Sequence, residues 1–375
     1  MIFGAFTIST FDGIPLCAVL FRFFSQKYNA QKWVLAQCVV ENTVVYECVQ
    51  ANSLLSVSSF PQLQRQTNWQ KITKYLKLIY HSLRFVCSND NMVIYTIDNT
   101  TCCWFLVLKK IFFYKNLTII LHQFELFVTD EVSRLDSFVF IIFRLLKKNL
   151  DLLIVPEINR LQHFVKAAEI STDETATLLF PNTNNNVVLS QNWRKEREDK
   201  IIVGHIGSVG PTHYIKELLA IAPELPPNVE IWFIGLLVPD IINLIQQTPT
   251  DNIRIIGQVP HHQLIDYYAK IDIGLILYRD VSLNFRYCAP NKLYEYWSYG
   301  IPVVAHQLEG LIPLFDTPMV GQLTNMDDST LFKQDLEAQI MAFVKNSRVD
   351  ELRQYFIENH DITVYLNKLD SLLPD

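Results

Sequence analysis

The stretch Ile201-Ile-Val-Gly-His-Ile-Gly-Ser-Val-Gly210 places a short apolar run directly before a glycine-rich turn, and a helical pattern follows it from Tyr214. An apolar run that ends in glycine is typical of a strand buried on both faces and followed by a tight turn. The same order of apolar run and helical pattern recurs as far as residue 305. Strands that alternate with helices predict right-handed crossovers and a parallel sheet, so this half of the chain is predicted to be an α/β domain.

The remaining strand candidates are also short and apolar. In the second half they are residues 229–234, 253–256, 271–277 and 302–305, and in the first half residues 1–8, 33–37, 93–96, 117–121 and 152–155. A polar passage at 181–186 and a charge run at 194–200 separate the two halves and resist burial in a core. The sequence therefore predicts two α/β domains joined near these residues.

Composition narrows the functional classes. Half of the 375 residues are apolar, yet no stretch of about 20 apolar residues occurs, and the N-terminus lacks the features of a secretory signal, so a cytoplasmic protein is expected. Seven cysteines without a C-x-x-C pair predict neither a disulfide framework nor a zinc knuckle. The net charge of -6 argues against nucleic acid as a partner.

The charge is unevenly distributed. Residues 1–150 carry 15 Lys+Arg and 9 Asp+Glu, a balance of +6, which leaves -12 for the rest of the chain. A basic first half is typical of a protein that rests on an anionic membrane surface, here the inner face, although a solvated charged face explains the same count.

Glycine marks the second half as the ligand-binding one. Nine of the eleven glycines follow Lys200, and several stand at predicted strand ends, where open α/β sheets bind their ligands. The spacing argues against a dinucleotide fingerprint, because Gly204, Gly207 and Gly210 do not form G-x-G-x-x-G and Glu230 stands at the start of the next strand. A plain tight turn is the other interpretation of this loop.

The segment Ala289-Pro-Asn-Lys-Leu-Tyr-Glu-Tyr-Trp-Ser-Tyr-Gly-Ile-Pro302 predicts a short helix that starts near Pro290 and stops at Gly300. At about 100° per residue, Lys292 and Glu295 share one arc of this helix. A lysine in the first turn is disfavoured by the helix dipole unless an anion binds there, and a diphosphate would also meet backbone N–H groups. Glu295 is then placed to accept hydrogen bonds from ribose hydroxyls. The alternative interpretation is an exposed amphipathic helix with an incidental surface ion pair.

At these residues the chain resembles retaining glycosyltransferases of family four, the group 1 glycosyltransferases. The resemblance rests on five ordered segments of the second half: residues 202–210, 229–235, 252–260, 264–277 and 290–302. It implies the GT-B fold, with two Rossmann-like domains facing each other across a cleft, parallel sheets, and a C-terminal helix that crosses back to the first domain. The implied domains are an acceptor-binding domain at 1–185, with about 360–375 added, and a donor-binding domain at 198–350.

The resemblance also implies an activity, the transfer of a sugar from a UDP- or GDP-linked donor to a saccharide or lipid-linked acceptor with retention. The implied reaction needs no metal and no cofactor. Such transfers occur in the synthesis of cell-surface polysaccharides. The diphosphate is expected to be held by Lys292 and by backbone amides, with Glu295 on the ribose. The expected donor-binding residues are Gly207, Ser208, Gly235, Gln258, Val259, Tyr287, Cys288, Ala289, Lys292 and Glu295. Polar residues at strand ends of the first half are the candidates for the acceptor side, namely Asp12, Gly13 and Asn99, and the catalytic candidates are Lys292, Glu295, His122 and Asp98.

Two departures from the family pattern keep other functions open. Tyr287 stands where many members carry a second glutamate, and the glycine loop offers Thr212, His213 and Lys216 where many members place an arginine and a lysine. A non-catalytic protein that binds a sugar or nucleotide is therefore one alternative. A nucleotide-sugar epimerase or a phosphorylase of the same fold is another. No pair of carboxylates spaced for glycoside hydrolysis can be identified.

Overall fold

A computed structural model describes residues 1–8, 11, 14–28, 33–35, 68–126, 134–185, 200–260 and 263–374. The chain divides into two compact units. The first comprises Met1–Pro181 together with Leu366–Asp375, and the second comprises Asn182–Tyr365.

The first unit contains a parallel sheet of six strands. These are β1 (Ile2–Phe6), β2 (Trp33–Leu35), β3 (Asn91–Thr96), β4 (Asn116–His122), β5 (Leu152–Val155) and β6 (Ala176–Leu179), in the order β2-β1-β3-β4-β5-β6. The described helices between them are α1 (Pro15–Tyr28), α2 (Asn68–Ser88), α3 (Asn99–Ile111), α4 (Arg134–Leu146) and α5 (Ile158–Ala168). The strands pair in parallel throughout, as the alternation of strand and helix predicts.

The second unit contains another parallel sheet of six strands. These are β7 (Ile201–Ile206), β8 (Val229–Ile234), β9 (Ile253–Gly257), β10 (Ile273–Ile276), β11 (Val303–His306) and β12 (Gly321–Thr324), in the order β12-β11-β10-β7-β8-β9. Its described α-helices are α6 (Ile215–Ile221), α7 (Pro239–Gln247), α8 (Leu264–Tyr268), α9 (Leu283–Arg286), α10 (Asn291–Ser298), α11 (Ser329–Lys345), α12 (Val349–Asn359) and α13 (Ile362–Leu372).

The strand order of the second sheet decides where a ligand can bind. From β7 the chain adds β8 and β9 on one side, and then returns to place β10 on the other side of β7. The connections after β7 and β10 therefore leave the sheet in opposite directions, which opens a crevice at their carboxyl ends. Both strands lie in the centre of the sheet and are largely buried, so the base of this crevice is rigid.

The last helix links the two units in sequence. Helix α13 begins in the second unit, while its final residues belong to the first. There the Lys27 Nζ atom lies 2.7 Å from Asp370 Oδ1, and the Tyr28 hydroxyl donates to the Pro374 carbonyl at 3.1 Å. The predicted return of the C-terminal helix to the first domain is confirmed. None of the described helices combines the length and apolar character that crossing a membrane requires.

Candidate functional site

The carboxyl ends of β7 and β8 are held together through two glycines. Gly235 has φ +138°, and a Cβ atom added to it would stand 2.0 Å from the Gly207 carbonyl oxygen. Gly207 donates its N–H to the Ile234 carbonyl at 2.9 Å, and Gly235 donates to Gly257 at 2.8 Å. Only glycine fits at position 235, so the two strand ends approach each other as closely as backbones can.

The loop that follows Gly207 crosses the edge of the sheet and is fixed at both ends. Val209 donates its N–H to the Leu236 carbonyl, and Tyr214 donates to Leu277 at 2.7 Å. The Arg279 guanidinium lies over the Tyr214 ring, 4.2 Å from its centroid, and pairs with Glu217. The loop is therefore fastened to the segments after β8 and after β10.

Helix α10 is anchored beneath β7 by buried aromatic residues. The Tyr296 hydroxyl accepts a hydrogen bond from Ile206 N–H and donates one to the Gly204 carbonyl, each at 2.9 Å. The Trp297 indole N–H donates to the Val320 carbonyl at 3.0 Å. These bonds fix the position of the helix relative to the carboxyl ends of the strands.

Lys292 and Glu295 form an ion pair on α10, with 2.6 Å between Nζ and Oε2. Their side chains are only 25% and 17% exposed, so the pair is not the exposed surface pair of the alternative interpretation. The Tyr268 hydroxyl donates to the same Glu295 oxygen, and the Tyr299 ring stacks on Tyr268 with 4.3 Å between centroids. Burial, and then the Glu295 charge, raise the pKa of Tyr268 well above its usual value. Glu295 is therefore oriented before any ligand binds.

The segment that leads into α10 is held from two sides. A Cβ atom on Gly310 would stand 2.7 Å from the Cys288 carbonyl oxygen, and Gly310 donates its N–H to the Arg286 carbonyl at 2.9 Å. The Asn182 side-chain amide donates to the Ala289 carbonyl at 2.9 Å. Cys288 and Ala289 are buried as a result.

Two of the backbone amides expected to face a diphosphate are already used. Gly207 donates to Ile234, and Cys288 donates to the Phe285 carbonyl at 3.1 Å. These two bonds complete the turns at the end of β7 and α9, so neither N–H is available to a ligand. Within the described chain, the N–H groups of Ser208 and Ala289 make no such backbone bond. The expected backbone N–H groups that remain available to bind a diphosphate are therefore those of Ser208 and Ala289.

The other residues expected to bind the donor lie after β9 and after α9. Gln258 is exposed directly after β9, while Val259 is partly buried against the aromatic core of the second unit. Tyr287 is partly buried between α9 and Cys288, in the position of the family's second glutamate. Their roles remain predictions.

The candidates in the first unit occupy different environments. Asp98 begins α3 as its N-cap and accepts hydrogen bonds from the backbone N–H of Thr101 and Ile8 and from the hydroxyls of Thr101 and Thr7, between 2.7 and 3.1 Å. Asn99 is the first residue of α3. These contacts tie the ends of β1 and β3 together. Asp12 and Gly13 lie outside the described residues.

His122, at the end of β4, is completely buried. Its Nδ1 atom lies 2.8 Å from the Tyr95 hydroxyl, and its ring stacks on Phe124 with 3.8 Å between centroids. Burial lowers the pKa of His122 to about 3, so the imidazole is neutral near pH 7. Its catalytic role remains a prediction.

Several residues that shape the carboxyl edge of the second sheet belong to no recognisable motif in the sequence. His205 and Tyr278 lie near the carboxyl ends of β7 and β10, Arg279 fastens the glycine loop, and Tyr268 orients Glu295. An isolated bridge joins His213 and Tyr278 across the crevice. In the sequence these residues are distinguished only by where they stand, since each of them lies at or beyond the end of an apolar strand or helix.

Comparison of the whole structure with solved structures shows the fold. Anabaena HepE, solved with UDP, matches with a TM-score of 0.70 at 13% identity, over 99% of this chain and 98% of that chain. A glycosyltransferase from Rickettsia africae matches with a TM-score of 0.72 at 12% identity, over 99% and 97%. Sucrose-phosphate synthase from Thermosynechococcus elongatus matches with a TM-score of 0.63 at 15% identity, over 99% and 97%.

In comparisons of sequence, no family profile and no curated protein matches the chain. The structural likeness confirms the GT-B fold that the ordered segments predict. At these identities it shows the fold alone.

Proposed function

We propose that this protein is a retaining glycosyltransferase that binds a nucleotide-sugar donor at the carboxyl edge of its second sheet. The observation that carries the proposal is the partly buried Lys292–Glu295 pair at the start of α10, beside a glycine loop at the reversal of strand order. That position combines a cation, a helix N-terminus and a pre-oriented carboxylate. The UDP complex of HepE, which shares the fold, is consistent with a nucleotide ligand.

The chemistry follows from the charges. A diphosphate at the start of α10 meets the positive end of the helix dipole, Lys292 and the Ser208 and Ala289 amides. Glu295, still held by Tyr268, accepts hydrogen bonds from the ribose hydroxyls. When the bond between sugar and diphosphate breaks, negative charge grows on the leaving phosphate, and donors already in place stabilise it without reorganisation.

Calorimetry with UDP and GDP tests this assignment. Lys292→Ala and Glu295→Gln should each weaken nucleotide binding by about ten- to a hundredfold, because each removes a hydrogen bond to a charged or buried partner. Lys333→Ala is the matched control, since Lys333 forms ion pairs with Glu224 and Glu337 away from this edge. Nucleotide affinity unchanged in both site variants would refute the site.

Tyr287 supports one competing function, a non-catalytic protein that binds nucleotide sugars, because many members of the family that the chain resembles carry a glutamate at this position. An epimerase would use the same fold and a nucleotide sugar, and a phosphorylase would use the same fold with inorganic phosphate. A product assay with a labelled donor separates the three. Transfer of label to an added saccharide or lipid-linked acceptor, or slow donor hydrolysis with retention, supports the transferase, whereas binding without either supports the non-catalytic protein.

A further inference from the structure

Two histidines lie buried next to each other at the glycine loop. His205 precedes the last residue of β7, and His213 ends the loop just before α6. They are 4% and 8% exposed, and their ring centroids lie 5.7 Å apart with the planes nearly perpendicular. The function proposed above assigns neither of them a role.

Hydrogen bonds fix which nitrogen of each ring carries the proton. Gly210 donates its N–H to His213 Nδ1 at 3.3 Å, so the proton of His213 is on Nε2. His205 Nδ1 lies 3.1 Å from the Leu275 carbonyl oxygen, which can only accept, so His205 Nε2 carries a lone pair. Among the described residues, neither Nε2 atom has a hydrogen-bond partner, although the Ser208 backbone lies close enough to His205 to raise its pKa. Two buried imidazole nitrogens beside a glycine loop leave hydrogen-bonding capacity that a polar group bound there could use.

The space beside Gly207 is open toward the Nε2 atom of His205. A Cβ atom placed on Gly207 would have His205 Nε2, 3.8 Å away, as its one neighbour within 4 Å beyond the adjacent residues. A Cβ atom on Gly210 would meet nothing within 4 Å. A ligand that approaches Gly207 therefore comes within reach of the His205 imidazole, and His213 lies next to His205.

The charged groups that act directly on the two imidazoles are the cations Lys292 and Arg279, each of which is paired with a carboxylate. Lys292 on α10 acts on His205, and Arg279 after β10, itself paired with Glu217 on α6, acts on His213. Tyr278 packs against His213 with 5.2 Å between centroids, and burial raises the pKa of its hydroxyl to about 12, so it stays neutral. Glu295 on α10 contributes to that shift of Tyr278.

Both imidazoles are neutral in the unliganded protein at pH 7. Burial, and then His213, lower the pKa of His205 to about 4. Burial also lowers the pKa of His213. An anion bound against the rings would reverse this balance, because it favours the charged imidazole.

We propose that the His205–His213 pair faces the donor's diphosphate and takes up a proton from solvent when the diphosphate binds. The proposal rests on the function proposed above. His213 Nε2–H donates to a phosphate oxygen, and His205 Nε2 accepts the added proton, which makes the pair a cation. The glycine loop thus acquires positive charge only with its ligand, in place of permanently charged side chains.

The pH dependence of donor binding follows from this uptake. Binding raises the pKa of the pair, so affinity increases as pH falls between the pKa of the complex and that of the free protein. In that interval, uptake of one proton changes affinity by about tenfold per pH unit. Above the pKa of the complex, affinity no longer depends on pH through this pair.

Calorimetry with UDP-glucose in buffers of different ionisation enthalpy measures the uptake directly, since the diphosphate of UDP-glucose does not itself titrate near neutral pH. The full-length protein should take up protons near pH 6, and uridine should cause none. His213→Asn and His205→Asn should each abolish the uptake and flatten the pH profile. His163→Asn, on α5 of the first unit, is the matched control and should change neither.

The outcomes separate the two proposals. UDP-glucose binding that depends on Lys292 but proceeds without proton uptake overturns the histidine proposal and leaves the donor site intact. Uptake that persists in both histidine variants also overturns it. If neither UDP-glucose nor GDP-mannose binds the wild-type protein, the proposed function fails and the histidine proposal fails with it.

Discussion

At the scale of single residues, the donor-side edge depends on side chains that position other side chains. Tyr268 orients Glu295, Arg279 fastens the glycine loop, and Tyr296 fixes α10 under β7. The positions of Lys292 and Glu295 could be predicted from helix periodicity, because the residues that share one face of a helix are determined by their spacing in the sequence. Tyr268 could not, because it comes from another helix and its contact with Glu295 exists only in the folded chain.

Tyr268→Phe tests the positioning of Glu295. Loss of the hydroxyl removes one hydrogen bond to a partly buried carboxylate, so UDP affinity should fall by about three- to tenfold while the fold is retained. Tyr267→Phe is the matched control, because its ring packs on Trp232 instead. Equal affinities for the two variants in calorimetry would show that Tyr268 does not orient the ribose-binding group.

Gly235→Ala tests the close approach of β7 and β8. The added methyl group would overlap the Gly207 carbonyl and sit at a strained φ, so the free energy of unfolding should fall by about 2–5 kcal/mol. Gly210→Ala should change stability little, because its Cβ atom meets nothing within 4 Å. Urea unfolding of the two variants measures the difference, and equal midpoints would contradict the geometry.

At the scale of elements, the strands were the most predictable feature. Predicted strands at 93–96, 117–121, 152–155, 201–206 and 229–234 all appear, with bounds shifted by at most two residues. They were recognisable because strands buried on both faces read as continuous apolar runs. Strand β12 and helices α11 and α12 were not predicted. Strand β12 is the short edge strand of its sheet, whereas the buried residues of α11, such as Phe332, Leu336, Ile340 and Phe343, do follow helical spacing.

Helix α4 presents an apolar stripe that fits the surface of an anionic membrane. Phe138, Ile141 and Leu145 are 60%, 55% and 78% exposed, at the spacing of one helix face. Lys147 and Lys148 follow directly, each paired with a glutamate. An amphipathic face flanked by lysines is typical of helices that lie in the membrane interface. We therefore propose peripheral membrane contact through the first unit, which would bring it to a lipid-linked acceptor.

Sedimentation with vesicles rich in anionic phospholipid tests this contact. Phe138→Ser combined with Leu145→Ser should weaken binding by about tenfold or more, since each side chain buries apolar area in the interface. Met341→Ser combined with Val344→Ser is the matched control, because both residues are similarly exposed on α11. If the two double variants bind the vesicles equally, α4 is not the contact. The same conclusion follows if the wild-type protein binds neutral vesicles as well as anionic ones.

At the scale of the whole molecule, both units were predictable as parallel α/β structures, and the return of the last helix followed from the family resemblance. The reversal of strand order at β7 and β10 was not predicted, because strand order depends on contacts between distant segments. The described part of the polar passage, residues 181–185, also behaves differently from expectation. Asn182 and Asn184 donate to Ala289 and to the Ser298 hydroxyl, so this passage packs along α10.

Acid should destabilise the molecule through its buried histidines. Burial lowers the pKa of His122 to about 3 and those of His205 and His360 to about 4, whereas an unfolded histidine titrates near its ordinary value. The unfolded state therefore binds more protons below about pH 6.5, and each histidine removes about 1.4 kcal/mol of stability per pH unit there. Urea midpoints should fall from pH 6.5 toward pH 4, and less steeply in His122→Phe. A midpoint independent of pH would contradict the burial of these rings.

The central claim is that the second unit binds a nucleotide sugar with its diphosphate at the start of α10. A crystal structure of the protein with UDP-glucose tests it most directly. We predict a phosphate oxygen within hydrogen-bond distance of Lys292 Nζ and of the Ser208 N–H, with ribose hydroxyls on Glu295. A nucleotide bound elsewhere, such as in the cavity of about 410 Å³ beside Lys345 and Arg348, or an unoccupied site at saturating ligand, would contradict it.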